Sequence, residues 1–424
     1  GESGSKISIQ GGTVSGNTAS KNGGGVFAYG ADITLSGGLI TGNRANKGNG
    51  GGLRVDKGSA VLSGGEIREN SASNNGGGVY AGPNAVFTMT GAAVQNNTAE
   101  NAGAGMFADS ATLYLQGGTI AENDAVGDGG GLHADNCTIH IDGVTIRANT
   151  TQGNGGGVYC MGSFLQSGGE VSGNRTSTGG GAVATRSGAS VELAGGVMNG
   201  NSAANGGAVY IAPESACTIT DGALRGNTAA KNGGAVYAYG SLALLGGSLT
   251  GNSAENFGGD VYLDASAGDG QSYLPGVFTL GGAPEVDELH LTLGAGAAIV
   301  GELETGAKLG VTLEGGTLTQ TVRGAYDYDK TAEGIYTLAA GDRSVTDPEP
   351  PVAIDRTAAA DGEANTDETA NAVQPSADGE TAQPTAQSGN TGLIIAIAAA
   401  VVVIAAAVVI VLRQRAKRGR KQSV

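Results

Sequence analysis

Three aspartates are the residues of this sequence best suited to catalysis: Asp56, Asp109 and Asp135. They fall at equivalent positions of a recurring pattern, and Asp109 and Asp135 belong to successive repeats. If each repeat adds a strand to a parallel sheet, these two carboxylates would lie ~4.8 Å apart. At that distance they could share a cation or oppose each other's ionisation. With His133 and Arg54 nearby, this column is the best sequence evidence for an enzyme.

The evidence for catalysis is incomplete. Gly82 interrupts the column between Asp56 and Asp109, and no recognisable catalytic motif accompanies it. The chain has three histidines and no Cys-x-x-Cys spacing, which argues against a structural zinc site. We therefore predict no catalytic residue, no cofactor and no metal ligand. A polysaccharide lyase or hydrolase remains the enzymatic alternative.

Seven aromatic residues form a second candidate site, which we call the aromatic stripe. They share one column of the repeat: Phe27, Tyr80, Phe107, Tyr159, Tyr210, Tyr237 and Tyr262. Arg54 and His133 stand in the same column, and because burying an unpaired arginine is costly, we expect the column to face outward. Exposed rings could stack on sugars or contact a partner protein. The competing interpretation is mutual stacking along the sheet, which stabilises the fold and binds nothing.

Both candidate sites are carried by a repeat of about 26 residues that occurs ten times between Gly11 and Tyr262. One asparagine recurs in every repeat: Asn17, Asn43, Asn70, Asn97, Asn123, Asn149, Asn174, Asn201, Asn227 and Asn252. Three apolar columns accompany it, and Gln166 interrupts one of them. A period of this size is typical of a solenoid, in which each repeat is one structural turn.

The apolar columns predict three short strands in each turn, all facing one core. Each apolar run is four to six residues long, rich in Val and Ile, and bounded by Gly, Asn and Ser. Equivalent strands would pair in parallel one period apart and coil in a right-handed sense. The recurrent asparagines are expected at a sharp corner, because Asn tolerates the left-handed conformation and its amide can bond the asparagines above and below. The glycines would serve neighbouring corners where a Cβ would collide.

The repeat resembles that of the chlamydial polymorphic outer membrane proteins. Gly226-Asn227-Thr228-Ala229 followed by Gly233-Gly234-Ala235-Val236-Tyr237 carries the resemblance, which covers roughly residues 7–263. The sequence is also similar to right-handed parallel β-helix surface proteins of Gram-positive gut bacteria, and the lack of a C-terminal barrel favours these relatives. The resemblance implies an all-β, right-handed, single-stranded parallel β-helix of the pectin-lyase-like kind. It also implies a surface-displayed adhesin or structural protein.

Composition limits the classes of function. A net charge of −16 argues against nucleic acid as a partner and against attraction to anionic lipid head groups. Cys137, Cys160 and Cys217 fall at different places in the repeat, so we predict no disulfide framework and place Cys160 in the core. The chain opens without Met, from which we expect a processed or truncated product whose signal peptide and N-terminal cap precede it.

The chain divides into five predicted parts. Residues 1–264 form ten coils, and residues 265–347 are expected to be irregular β coils that cap the solenoid. Residues 348–391 are acidic and rich in Pro, Thr and Ala, which predicts a disordered stalk. The apolar run of residues 392–412, in which Leu393 to Leu412 carry no charge, predicts a transmembrane helix. The basic residues of 413–424 predict a cytoplasmic tail.

These parts predict a cell-surface, single-pass membrane protein with its N-terminal region outside. Residues 388–392 resemble a cell-wall sorting signal with Thr391 at the cleavage position, although Ser388 and Gly389 replace the usual Leu-Pro. We expect a monomeric shaft that acts as an adhesin or in surface display, contacting host protein or glycan along the β-helix face. The alternatives are the polysaccharide-degrading enzyme and a passive spacer for a missing N-terminal domain.

Overall fold

A computed structural model describes residues 4–264, 278–291, 296–303, 307–313, 317–320, 326–332 and 335–340. No helix occurs in these residues, which form β-strands joined by tight turns. The strands wind into a parallel β-solenoid of about 11 turns. We number ten regular coils by the repeated asparagines, from coil 1 with Asn17 to coil 10 with Asn252.

Strands of three kinds build the regular coils. The first kind follows the small-residue triplets: Val26–Tyr29, Leu53–Asp56, Val79–Ala81, Met106–Asp109, Val183–Thr185, Val209–Ile211, Val236–Ala238 and Val261–Leu263. The second kind is longer: Asp32–Thr41, Ser59–Arg68, Val86–Gln95, Thr112–Ala121, Ser190–Asn199 and Ala216–Arg225. In coils 5 and 6 a strand of the first kind continues directly into the second kind, as Leu132–Ile141 and Val158–Gln166. Shorter pieces replace or continue it: Lys6–Ile9, Thr13–Ser15, Thr145–Arg147, Glu170–Ser172, Ser241–Leu244 and Ser248–Thr250. The third kind follows each repeated asparagine: Thr18–Ala19, Arg44–Ala45, Ser71–Ala72, Thr98–Ala99, Asp124–Ala125, Thr150–Thr151, Arg175–Thr176, Ser202–Asn205, Thr228–Asn232 and Ser253–Ala254.

The prediction of three separate core strands in each turn was wrong for most coils. Two of the predicted strands are joined into one long strand, such as Asp32–Thr41, which bends at Gly37 and Gly38. The register with the next coil shifts on either side of Ser36, and pairing then resumes. Glycine permits this bend without breaking the hydrogen-bonded ladder, so the two apolar columns remain on one strand. The strands of the third kind, which were not predicted, form a separate ten-stranded parallel sheet.

The three apolar columns meet in a thin core that runs along the solenoid. Within one turn, Met106, Leu113, Leu115 and Ile120 are all fully buried. Equivalent residues of successive coils are parallel register partners, for example Leu115 and Met89, so each coil covers the core of its neighbour. Burying such a side chain stabilises the fold by ~1.5–3 kcal/mol. Cys160 is buried in this core, as predicted.

The repeated asparagines form a continuous internal ladder. Each side-chain Nδ2 donates to Oδ1 of the next asparagine at 2.8–3.0 Å. The same Nδ2 also donates to a carbonyl of the preceding coil, as Asn123 does to Val94 at 3.1 Å. The predicted left-handed backbone was placed one residue too late. The positive φ angles belong to the residues just before the ladder, such as Glu69 and Glu122, both at 55°.

Glycine before the first strand of a coil lets the chain approach the ladder closely. A Cβ on Gly78 would lie 2.7 Å from the Gly105 carbonyl oxygen and 2.8 Å from Nδ2 of Asn97. A side chain at this position therefore points toward the asparagine ladder. Coil 10 places Asp260 there, and its Oδ1 accepts a 2.7 Å hydrogen bond from Nδ2 of Asn252. Asp260 thus terminates the ladder in place of a further asparagine.

Beyond coil 10 the described strands continue the parallel sheet and then reverse. Phe278–Gly282, Glu285–Leu291, Gly296–Leu303, Lys308–Leu313 and Thr317–Gln320 pair in parallel with strands before them. Tyr326–Ala332 and Ile335–Ala340 form an antiparallel pair, and Ile335–Ala340 also pairs antiparallel with Lys308–Leu313. In the part of the chain that the structure describes, no helix is long and apolar enough to span a bilayer. The predicted stalk, transmembrane helix and basic tail lie outside the described residues.

Asp260 makes the stability of the solenoid depend on pH. Burial raises the pKa of its carboxyl group from 3.8 to about 6, although Asn252 and two backbone N–H groups oppose this shift. The folded state therefore retains this proton to higher pH than the unfolded state, so stability falls as pH rises from about 4 through 6. Because each unit of pKa corresponds to about 1.4 kcal/mol, a rise of this pKa from 3.8 to about 6 lowers the free energy of unfolding by at most about 3 kcal/mol.

The test compares denaturant unfolding of the parent chain and Asp260→Ala at pH 4 and pH 7. Alanine is a matched replacement because Ala182, Ala208 and Ala235 occupy the equivalent position in coils 7–9. We expect the stability of the parent relative to the variant to be greater at pH 4 than at pH 7. A difference that stays constant or grows with pH would contradict the raised pKa.

Candidate functional site

The aromatic stripe lies on the strands of the first kind, on the side that faces away from the main core. Its rings stack along the solenoid, with centroids 5.4 Å apart for Tyr80 and Phe107, 4.6 Å for Phe107 and His133, and 5.0 Å for His133 and Tyr159. A second stack follows after Ala184 and joins Tyr210, Tyr237 and Tyr262 at 5.5 and 5.3 Å. Arg54 extends the first stack, with its guanidinium 4.4 Å from the Tyr80 ring centroid.

The predicted exposure of the stripe was wrong for most of its members. Tyr80, Phe107, Tyr159, Tyr237 and Tyr262 are 3–8% exposed, whereas Phe27 at the end of the column is 44% exposed. The rings point outward, but neighbouring rings and the adjoining turns cover them. Because each stacked ring covers the faces of its neighbours, the stripe offers ring edges to a ligand where the stack is intact.

A second asparagine ladder, which the sequence reasoning missed, runs beside the stripe. We call it the outer ladder: Asn22, Asn49, Asn75, Asp128, Asn154, Asn205 and Asn232, each directly before a Gly-rich triplet. Side-chain oxygens accept backbone N–H groups of the next coil, as Asn49 Oδ1 does from Asn75 at 3.0 Å and Asp128 Oδ1 from Asn154 at 2.6 Å. The signal in the sequence is the Asn-Gly-Gly tripeptide that recurs before the strands of the first kind.

The outer ladder is interrupted by Gly179 in coil 7 and, beside the first ring stack, by Ala102 in coil 4. Its methyl group packs with Tyr80 and Phe107. A shallow cavity of about 310 Å³, which we call the outer groove, opens over this gap. Phe107, His133 and Tyr159 form its floor. One wall contains Asn75, Asn101, Ala102, Gly127 and Asp128, and the opposite wall contains Asp135, Met161 and Arg186.

His133 is the central polar group of the groove floor. It is 8% exposed, and its Nδ1 lies 3.3 Å from the carbonyl oxygen of Asp128. Because a carbonyl can only accept, Nδ1 carries the proton of the neutral ring and Nε2 presents a lone pair. No described residue donates a hydrogen bond to Nε2. Burial lowers the pKa of His133 below its ordinary 6.5, so the ring is neutral at pH 7.

Three further groups supply hydrogen-bonding capacity along the groove. Burial, followed by the Asp128 charge, raises the pKa of Tyr159 to about 12, so its hydroxyl keeps its proton and can donate. Arg186 contacts Met161 Sδ at 3.8 Å, a weak interaction that leaves most of its N–H donors available. Asp135 accepts from Asn136 through Oδ1 at 2.9 Å, and no described residue bonds its Oδ2.

The aspartate column is only partly assembled. Asp109 and Asp135 are register partners on adjacent parallel strands, as the repeat predicts. Asp109 accepts from Tyr80 Oη at 3.3 Å and from Ser110 at 3.0 Å, and it does not line the groove. Asp56 lies two coils away and is paired with Arg54 at 2.8 Å. Among the described residues, no group of three or more His, Cys, Asp or Glu side chains could hold a metal ion.

Comparison with protein families addresses the fold. Residues 2–192 match the family model described as a right handed beta helix region. The chain is a right-handed parallel β-solenoid. No curated protein and no solved structure matches it. The matched residues include the whole outer groove and the first seven ladder asparagines, so the site lies within the part of the chain that shares the family pattern.

The right-handed β-helix fold is found in enzymes and in non-enzymes, so the chemistry depends on the groove. Its floor presents a neutral histidine acceptor, a phenol donor and ring edges. Its walls present amides, two carboxylates and one guanidinium. Such a set of groups can form hydrogen bonds to a polar ligand from several sides.

Proposed function

We propose that this chain is a non-enzymatic cell-surface protein whose β-helix shaft binds an extracellular ligand through the outer groove. The observation that carries this proposal is the groove itself, because it combines a 310 Å³ cavity with two acceptor atoms, His133 Nε2 and Asp135 Oδ2, that have no hydrogen-bond partner among the described residues. A volume near 300 Å³ is at the lower end of the range for small-molecule sites. The groove therefore suits a short segment of a ligand, such as one or two sugar units or a side chain.

The surface location rests on the C-terminal sequence. A charge-free apolar run that ends at Leu412 and is followed by six basic residues within 413–424 has the pattern of a membrane anchor with a cytoplasmic tail. The acidic segment of 348–391 would hold the shaft away from the membrane as a flexible stalk. In this arrangement the groove lies on the side of a rigid shaft outside the cell.

The proposed binding is tested with a substitution that fills the groove and spares the fold. Ala102→Asn would restore the outer ladder between Asn75 and Asp128 and place an amide over the groove floor. The matched control is Ala230→Asn, because Ala230 is exposed on coil 9 outside the groove. The full 424-residue chain, purified in mild detergent, is applied to cultured animal epithelial cells and to immobilised extracellular-matrix proteins and glycans.

We expect saturable binding by the parent chain and by Ala230→Asn, and at least tenfold weaker binding by Ala102→Asn with an unchanged circular dichroism spectrum. A parent chain that binds none of these surfaces would favour the passive spacer. Depolymerisation of a polysaccharide by the parent, lost in Asp109→Ala or Asp135→Ala with folding intact, would instead show an enzyme.

A further inference from the structure

We infer that the ligand of the outer groove is an uncharged hexose unit of a glycan, held by His133, Tyr159, Asp135 and Arg186. This inference rests on the proposed function, since it specifies the ligand of the same site. It depends on three properties of the groove: the balance of donors and acceptors, the local charge, and the shape of the floor.

The donors and acceptors match a polyol. Nε2 of His133 and Oδ2 of Asp135 can each accept a hydrogen bond, while Tyr159 Oη and the Arg186 guanidinium can donate. A sugar hydroxyl both donates and accepts, so neighbouring hydroxyls of one ring can satisfy groups of both kinds. His133 is only 8% exposed, and its Nε2 has no partner among the described residues. A ligand in the groove must therefore donate a hydrogen bond at the floor as well as at the rim.

The local charge disfavours an ionised sugar. Asp128 and Asp135 place two negative charges on the groove walls, and Arg186 places one positive charge opposite Asp128. An acidic sugar would gain an ion pair with Arg186 but face both carboxylates, in a chain whose net charge is −16. Asp128 is also engaged, because its Oδ1 accepts the backbone N–H and Nδ2 of Asn154 at 2.6 and 3.2 Å. A neutral ligand avoids both repulsions.

The floor is narrow and partly apolar. The edges of Phe107, His133 and Tyr159 lie in line because their rings stack at intervals of 4.6 and 5.0 Å. Met161 adds an apolar surface between Asp135 and Arg186. Carbon–hydrogen groups of a hexose can lie on this strip while its hydroxyls reach the walls. A flat aromatic ligand would gain little on Phe107 and His133, since neighbouring rings already cover both faces of each.

The experiment measures binding of the full chain, in mild detergent, to an array of neutral hexose oligosaccharides, sialylated and uronate-containing oligosaccharides, and amino sugars. His133→Phe keeps the stacked ring and removes the Nε2 acceptor, and Tyr159→Phe removes only the hydroxyl. Matched controls are His140→Phe and Tyr114→Phe, whose rings stack on each other at 5.2 Å outside the groove. Tyr159→Phe keeps the test decisive if His133→Phe does not fold.

We expect preferential binding of neutral oligosaccharides, weakened about tenfold by each groove variant and unchanged in the controls, as for the loss of one good hydrogen bond. Binding should hold constant from pH 8 to 6.5 and weaken below, where protonation of His133 removes the acceptor beside Asp128, Asp135, Arg186 and Tyr159. Preference for charged glycans, or equal binding by parent and groove variants, would overturn the inference. Binding to cells but to no neutral oligosaccharide would overturn it and leave the proposed function intact, whereas binding to neither would overturn both.

Discussion

Asn123→Asp is expected to lower the free energy of unfolding at pH 7 by about 4–6 kcal/mol, although it changes one atom of one side chain. In the parent, Asn123 Nδ2 donates to Asn149 Oδ1 at 2.9 Å and to the Val94 carbonyl at 3.1 Å, and the side chain is fully buried. Aspartate would put an oxygen in place of this nitrogen. Two buried hydrogen bonds would become contacts between acceptors, around a charge removed from water.

The other half of the ladder would survive this change. Asn123 Oδ1 accepts from the backbone N–H and from Nδ2 of Asn97, both at 3.0 Å, and an aspartate oxygen can do the same. The damage is therefore confined to the two bonds that Nδ2 donates, one to Asn149 in coil 6 and one to the Val94 carbonyl of the preceding coil. Protonation supplies one donor again, so part of the lost stability should return at pH 4. Asn123→Ala, which removes the group without adding charge, should cost less, about 3 kcal/mol.

The matched control is Asn101→Asp. Asn101 lies in coil 4, next to the coil of Asn123, and its Nδ2 also donates to an asparagine, Asn75, at 2.8 Å, but it is exposed to water. We expect a change within about 0.5 kcal/mol there. Denaturant unfolding followed by far-ultraviolet circular dichroism, at pH 7 and pH 4, gives both values. Equal effects at Asn123 and Asn101 would show that the internal ladder does not stabilise the solenoid.

The internal ladder and the apolar columns were readable from the sequence because a repeat exposes them. A position that holds Asn in ten successive coils, beside columns that hold Leu, Ile or Val, leaves few structural choices. The sequence did not predict that Asp32–Thr41 is one strand, because the Gly37-Gly38 pair is typical of a turn. Only the pairing with the next coil shows that the strand continues beyond these two glycines.

The groove was harder to predict than the ladder, because it arises from an exception to the repeat. The repeat places Tyr80, Phe107 and Tyr159 at one equivalent position and does not distinguish one coil from the next. The structure shows that these rings cover one another and that access depends on Ala102, a small residue at a position that holds Asn75 and Asp128 in the two neighbouring coils. In a solenoid, the regular positions build the shaft, and departures from the pattern are where a distinct site can form.

A second exception to the repeat lies inside the core, and its removal should stabilise the protein. Gln166 occupies a column that otherwise holds Leu, Ile or Met, between its register partners Ile141 and Leu193. It is 1% exposed, and neither Nε2 nor Oε1 has a hydrogen-bond partner among the residues that the structure describes. Each such buried group costs ~1–3 kcal/mol relative to solvation in the unfolded chain. Gln166→Leu is therefore expected to raise the free energy of unfolding by about 2–6 kcal/mol.

Two further variants separate this effect from a general gain in hydrophobicity. Gln116→Leu makes the same substitution at an exposed position of strand Thr112–Ala121 and should leave the unfolding midpoint nearly unchanged. Gln166→Glu keeps the shape but buries a carboxyl group, and should destabilise the protein at pH 7. If Gln166→Leu fails to raise the midpoint while Gln116→Leu behaves as expected, the amide must be satisfied in the folded protein by a bound water. Gln166 would then contribute to stability by binding this water, and replacing it with an apolar residue would bring no gain.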